Sequence, residues 1–142
     1  MIEIRKIKPI DLNDVLEITK ICFPDSLPES YFKKLLLEYP EFYIAKKNGQ
    51  TAGYILGFMK TNTLGWIKTI AVSPKFQKQG IGNKMMNFII DKLEKAGAEK
   101  IGLYVRENNQ KGISFYLNLG FNEKEKIKKY YSNGDSAYLM EK

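Results

Sequence analysis

The chain has 142 residues, 44% hydrophobic and 27% charged, with a formal net charge of +7; this suits one soluble domain over residues 1–142 and is too little chain for two cores. It contains no histidine and one cysteine, Cys22, which excludes Ser-His and Cys-His nucleophile arrangements, the usual zinc sites and any intrachain disulfide, so no metal is expected. No apolar run is long enough to span a bilayer, and Met1-Ile2-Glu3-Ile4-Arg5-Lys6 lacks the basic-then-apolar layout of a secretion signal, so the expected protein is cytoplasmic with no membrane partner.

Residues 2–7 alternate like a half-buried strand, and Pro9 stops them. Asp11 is positioned to cap a helix that carries Leu12, Val15, Leu16 and Thr19 on one face. Cys22-Phe23-Pro24-Asp25 breaks the pattern, and Ser26-Leu27-Pro28-Glu29 reads as a capping box opening a second helix with Phe32, Leu35, Leu36 and Tyr39 on one face, ending near Pro40. Residues 42–47 form a strand, Asn48-Gly49 a hairpin turn, residues 51–60 the returning strand, and residues 64–72 a long central strand closed by Pro74. After a loop over residues 75–82, Met86, Ile89, Ile90 and Leu93 recur at helical spacing until Gly97. A strand over 100–105 follows, then a helix from about Asn109 with Ile113, Tyr116 and Leu117 on one face, ending at Gly120. Residues 121–131 read as a strand, Asn133-Gly134 as a hairpin turn, and residues 137–140 as the last strand. The order β-α-α-β-β-β-α-β-α-β-β predicts an α/β (α+β) fold: a mixed sheet of about seven strands with helices covering both faces.

A charge of +7 suits an anionic partner. Lys124, Lys126, Lys128 and Lys129 supply much of it, but they alternate with Glu123 and Glu125 and read as a solvated face. No nucleic-acid motif accompanies them, and no nucleic-acid partner is expected.

The most informative stretch runs from Ala71 to Lys84: an apolar strand end, then Gln77-Lys78-Gln79-Gly80-Ile81-Gly82, then a helix start. Glycines there let backbone approach a ligand, and first-turn N–H groups lack intrahelical acceptors and carry the positive end of the helix dipole. Together they make an anion site suited to a pyrophosphate, with Lys75, Lys78 and Lys84 adding charge. The P-loop pattern is absent, and the dinucleotide pattern fails because Met85 stands where its third glycine belongs. A turn that merely caps the helix is the plain alternative for a Gly-x-Gly pair.

Gln77-x-x-Gly80-x-Gly82, followed by Leu103-Tyr104-Val105-Arg106-Glu107-Asn108-Asn109 and Tyr116-x-x-x-Gly120-Phe121, resembles the GNAT superfamily of N-acetyltransferases over nearly the whole chain. Within it, Cys22-Phe23-Pro24-Asp25 and the segment from Tyr130 to Met140 are similar to the N-terminal protein acetyltransferases, including those that modify ribosomal-protein alanine. The resemblance implies a splayed central strand pair and acetyl-CoA as cosubstrate. Backbone groups at Ile70, Ala71 and Val72 would hold the pantetheine arm, and the amides of Gln77, Lys78, Gln79, Gly80, Ile81 and Gly82 the pyrophosphate. Asn109 would bond the pantetheine, cap its helix, or do both, and Tyr116 would protonate the leaving thiolate, although its helical spacing equally suits a core aromatic.

The slots where relatives place a carboxylate or histidine base hold Tyr104 and Trp66; Tyr104 would position a water or simply pack. A chain without an evident base suits an α-amine, with a pKa near about 8, better than a lysine amine near about 10.4. Phe23, Pro24, Tyr130 and Tyr131 would line the peptide side, with loop packing as the other account of them. The resemblance therefore implies an enzyme, an N-acetyltransferase acting on the N-terminus of a protein or peptide by direct attack in a ternary complex; Cys22 reads as a small hydrophobe, not an acetyl carrier. Two alternatives stand beside it: a polyamine or amino-sugar acetyltransferase, and a coenzyme A-binding module without turnover.

Overall fold

The computed structural model describes residues 1–23 and 28–142. Seven strands are present among them: β1 (Ile2–Lys6), β2 (Phe42–Lys47), β3 (Gln50–Met59), β4 (Leu64–Val72), β5 (Lys100–Arg106), β6 (Asn122–Ile127) and β7 (Ala137–Glu141). The helices are α1 (Leu12–Cys22), α2 (Glu29–Glu38), α3 (Ile81–Lys95) and α4 (Gln110–Asn118). The strands form one sheet in the order β1-β2-β3-β4-β5-β7-β6. It is mixed: β4 and β5 run parallel, and every other neighbouring pair is antiparallel.

Both faces of the sheet are covered, which explains why β2 reads Phe-Tyr-Ile-Ala without a polar gap. Successive side chains point to opposite faces. Phe42 and Ile44 pack with Tyr54 and Leu56 against Leu12, Val15 and Ile18 of α1 and Phe32 and Leu35 of α2. Tyr43 and Ala45 pack on the other face with Ile55 and Ile67 against Ile81, Met85, Met86, Ile89 and Leu93 of α3. Ile113, Phe115, Tyr116 and Leu119 of α4 extend that second layer. Leu117, expected on the same face, is half exposed: the half-buried positions of this short helix are 112, 113, 115 and 116, and position 117 turns to solvent.

Asp11 occupies the N-cap position of α1 but makes no side-chain cap bond to it. It closes a short 3-10 turn, Pro9–Asp11, and its carboxylate points back to accept from the Lys8 N–H at 2.8 Å and from both Nη atoms of Arg5 at 2.9 and 3.0 Å. Burial pulls the Asp11 pKa upward, but the hydrogen bonds from Arg5 and Lys8 and the Arg5 charge outweigh it and hold the carboxyl below its usual value. A depressed folded-state pKa contributes stability above the unfolded value near about 3.9 and loses it as pH falls through the folded one. Asp11→Ala should therefore cost about 2 kcal/mol at neutral pH, and the gap between variant and wild type in chemical denaturation should close below about pH 4.

For α2, Pro28 occupies the N-cap position without a side-chain cap, and Glu29 begins the first turn. The expected capping box includes Ser26 and Leu27, which lie outside the described residues. The Asn48-Gly49 turn is present, with φ of 52° and 78°. The second expected hairpin is corrected: β6 ends at Ile127, not 131, and Asn133-Gly134 is a turn inside a longer connection over residues 128–136. Lys129, at φ 53°, leaves the ladder. The chain is then held by Tyr131 N–H to the Asp135 carbonyl at 3.0 Å and Gly134 N–H to the Tyr131 carbonyl at 2.9 Å. The lysine and glutamate side chains of β6 are exposed on the sheet edge, where alternating charge and a bulge between Glu123 and Glu125 discourage further strand pairing.

Candidate active site

Strands β4 and β5 pair over only three positions: Leu64 with Lys100, Gly65 with Ile101 and Trp66 with Gly102. Beyond Trp66 they part. Two local features account for this. The β3–β4 register shifts by one residue between Leu56 and Gly57, so Lys68 is an extra residue in β4, and a bulge of this kind bends its strand. The Trp66 indole also lies over Gly102, where a Cβ would sit 2.5 Å from the ring, wedging the strands at the last paired position.

The opening is a cavity of about 580 Å³. Thr19, Cys22 and Phe23 of α1 and its end, and Tyr31, Phe32 and Leu35 of α2, form one wall. Lys68, Thr69 and Ile70 of β4 face Tyr104, Val105 and Arg106 of β5, while Asn108, Asn109, Tyr116, Tyr131 and Ser132 close the remaining side. At its base the buried Tyr54 hydroxyl hydrogen-bonds Thr19 Oγ1 at 2.7 Å.

Of the expected site residues, the cavity gathers Phe23, Ile70, Tyr104, Asn109, Tyr116 and Tyr131. It does not gather Ala71, Val72, Tyr130 or the loop from Gln77 to Gly82. Pro24 lies outside the described residues. Strand register sorts the central three: Ala71 is opposite Tyr54, and Ser73 N–H bonds Ala52 O at 2.8 Å, so the alternation of the ladder turns Ala71's own N–H and C=O toward β3. Ile70 and Val72 turn theirs to the parted edge. The Val72 carbonyl already accepts from Gln77 Nε2 at 3.0 Å and from Cys22 Sγ at 3.4 Å. Ala71 is thus a β3 ladder residue and offers the cleft no backbone group.

The Gln77 bond ties the loop to the end of β4. Within the loop, Lys78 (φ 64°) and Gly80 (φ 81°) are both left-handed, and Gly80 is the N-cap of α3. The first backbone bond of that helix runs from Lys84 N to Gly80 O at 3.1 Å. The N–H groups of Ile81, Gly82 and Asn83 precede it and have no intrahelical acceptor. A Cβ on Gly80 would meet nothing within 4 Å, so the concavity at the helix foot is open, whereas one on Gly82 would meet the Phe115 ring at 3.1 Å. Converging amides, an open face and the positive end of α3 are the donor set an anionic diphosphate requires.

Asn109 caps α4: its Oδ1 accepts from Gly112 N–H at 2.9 Å, and it lines the cavity at the same time. Tyr116 sits between Phe115 and Phe121, with ring centroids 5.3 and 5.9 Å away. Burial, with a smaller contribution from Tyr131, pushes its phenol well above the ordinary tyrosine value. Tyr104 packs edge-on against Trp66 at 5.0 Å and in a tilted contact against Tyr130 at 4.8 Å, and burial followed by the Tyr130 and Glu125 charges raises its pKa. Tyr130, 47% exposed, contacts Tyr131 at 5.0 Å. Arg106 stacks on Tyr131 at 3.8 Å and pairs with Asp135 at 2.8 Å, pinning the 128–136 connection to β5.

Arg106, Lys68, Thr69 and Tyr31 are cavity residues that sequence reasoning missed as site residues. Arg106 directly follows the expected strand, and Lys68 is the one charge inside the apolar run Leu64–Val72. Those were the available signals.

The parted strands, the amide-lined helix foot and the cavity between them form a cleft suited to an enzyme that brings a diphosphate-bearing cosubstrate to a second substrate. A family model described as "Acetyltransferase (GNAT) family" matches residues 12–121, and the chain belongs to that family. It is 30% identical to an N-alpha-acetyltransferase of Sulfurisphaera tokodaii, over 96% of this chain and 90% of that one. Its fold superposes on Ard1 from Thermoplasma volcanium with a TM-score of 0.94 at 25% identity, covering 99% and 96% of the two chains. It also superposes on the ribosomal-protein-S18-alanine N-acetyltransferase from Escherichia coli with a TM-score of 0.88 at 28% identity, covering 99% and 92%. Among the described residues no helix is long and apolar enough to cross a membrane.

Proposed function

We propose that this chain acetylates the α-amino group at the N-terminus of a protein or peptide, by direct attack of that amine on acetyl-CoA in a ternary complex. The observation that carries the reading is the cavity between β4 and β5: it has a wall of α1–α2 residues on one side and the Arg106-pinned connection on the other. A cleft walled in this way suits two substrates that meet inside it. The relatives named N-alpha-acetyltransferase support the same amine class.

In this reading, backbone groups of Ile70 and Val72 hold the pantetheine, the amides from Gln77 to Gly82 hold the diphosphate, and the cosubstrate supplies the acetyl group. The Asn109 amide adds a polar contact to the arm. Tyr116, kept protonated by its buried surroundings, gives its proton to the departing sulfur as the carbon–sulfur bond breaks and the carbon–nitrogen bond forms, while the surplus proton of the amine passes to water. Phe23 and Tyr131 line the peptide side, and Tyr104 orders a water beside the amine. An α-amine is about one-tenth neutral at pH 7, so a weak base suffices. Among the described residues the cavity lining carries Lys68 and Arg106 and no carboxylate, which opposes a polycationic substrate.

The Cys22 thiol donates to the Val72 carbonyl, and burial raises its pKa. A protonated, hydrogen-bonded thiol is a poor acetyl carrier. Cys22→Ala should keep turnover within about twofold of wild type, with no acetyl-enzyme in intact-mass spectra during turnover. A loss of activity by orders of magnitude would replace direct attack with a covalent route.

The deciding experiment measures thiol release from acetyl-CoA with N-terminal peptides, spermidine, free lysine and an amino sugar. Turnover confined to peptides supports the proposal. Turnover confined to a small amine overturns it.

A further inference from the structure

We infer that Lys68 is a specificity residue that selects substrates with an acidic side chain within the first two residues of the acetylated terminus. The inference rests on the N-terminal reading above and deepens it. Three observations carry it.

The first is charge. Among the described lining residues of the cavity, Lys68 and Arg106 are the charged ones, and no carboxylate lines it. The second is pairing. Arg106 is committed to Asp135 at 2.8 Å and to the Tyr131 ring. Lys68 has no ion-pair or ring partner among the described residues, so its ammonium is the charge left for a ligand. The third is position. Lys68 is the inserted residue of the β4 bulge, just past the last β4–β5 pair and two residues before Ile70, whose backbone faces the parted edge. Two strand residues span about 7 Å, and each extended peptide residue about 3.5 Å. An amine meeting the acetyl group near Ile70 therefore brings its first two side chains within reach of the lysine. A carboxylate there gains a charge-assisted hydrogen bond, while a lysine meets like charge.

The test uses the full chain and a peptide set identical except at the first and second residues: Asp, neutral, or Lys at each. Spermidine runs alongside. In wild type, Asp at one of these positions should give a KM about three- to tenfold below the neutral peptide, with kcat little changed. The preference should shrink as salt rises. Lys68→Gln should erase it, and Lys68→Glu should invert it toward the lysine peptide. Because Lys68 is exposed, both variants should keep the wild-type melting temperature and acetyl-CoA affinity. Equal KM across the set, or an acid preference that survives Lys68→Glu, overturns the inference and leaves the N-terminal reading intact. A parallel loss of acetyl-CoA affinity in both variants assigns Lys68 to the cosubstrate and overturns it too. Turnover of spermidine and of no peptide overturns both readings together.

Discussion

Tyr116→Phe should lower kcat by about 10²- to 10⁴-fold while leaving acetyl-CoA affinity within about twofold of wild type. The substitution removes one oxygen and keeps the ring. Its edge-on contacts with Phe115 and Phe121 persist, so α4 and the cavity wall keep their shape. What is lost, in the proposed mechanism, is the proton donor for the departing sulfur. Without it the thiolate leaves as a bare anion in a half-enclosed cavity, where a charge without a partner is costly. The pH profile gives an independent check. Because burial raises the Tyr116 pKa, the phenol stays protonated throughout the neutral range. Wild-type kcat should therefore show no alkaline decline from this group below about pH 10. Near-wild-type kcat in the variant would return Tyr116 to the role of a core aromatic, which its helical spacing alone allows.

Most of the fold was legible because its strands are bounded by strong local signals. Proline, glycine and the Asn48-Gly49 turn fix residues 42–47 and 64–72 as strands, and the structure has both at those bounds. Asn48 and Gly49 both take the positive φ such a turn demands. Failures arose where tertiary contacts outbid a local rule. Asp11 has the look of a helix cap, but the Arg5 guanidinium and the Lys8 N–H offer its carboxylate three charge-assisted or backbone bonds. Residues 128–131 continue the β6 pattern, yet Arg106 stacks on Tyr131 and pairs with Asp135, drawing the connection across the cleft and out of the ladder. The site was half legible. The glycine loop and Tyr116 stand in recognisable patterns. The β4 bulge is a change of register between two strands, which no single strand's sequence records, and Lys68 and Arg106 join the cavity because of it and because of how β5 faces it.

Gly80→Val should raise the acetyl-CoA dissociation constant by at least about tenfold in calorimetry, and the reason is backbone conformation, not crowding. A Cβ at position 80 would meet nothing within 4 Å, so the side chain has room. The φ of 81° is the obstacle, because a β-branched residue in the left-handed region costs about 1–2 kcal/mol. The chain escapes that cost by rotating out of it. Lys78, at φ 64°, curls the loop together with Gly80, and their combination aims the amides ahead of Lys84 into one concavity. Rotating residue 80 turns those N–H groups apart, and each charge-assisted bond lost to a diphosphate is worth about 1.5–3 kcal/mol, or roughly ten- to a hundredfold in affinity. A matched control separates this from general destabilisation. Gly49 has nearly the same φ, 78°, and equally open surroundings, but it lies in the β2–β3 turn. Gly49→Val should lower the melting temperature by a similar few degrees and leave the dissociation constant unchanged. Gly80→Asn should fall between wild type and Gly80→Val, since asparagine tolerates the left-handed region. If Gly80→Val bound acetyl-CoA as wild type does, the loop would be only a helix cap, and the diphosphate would have to be held elsewhere.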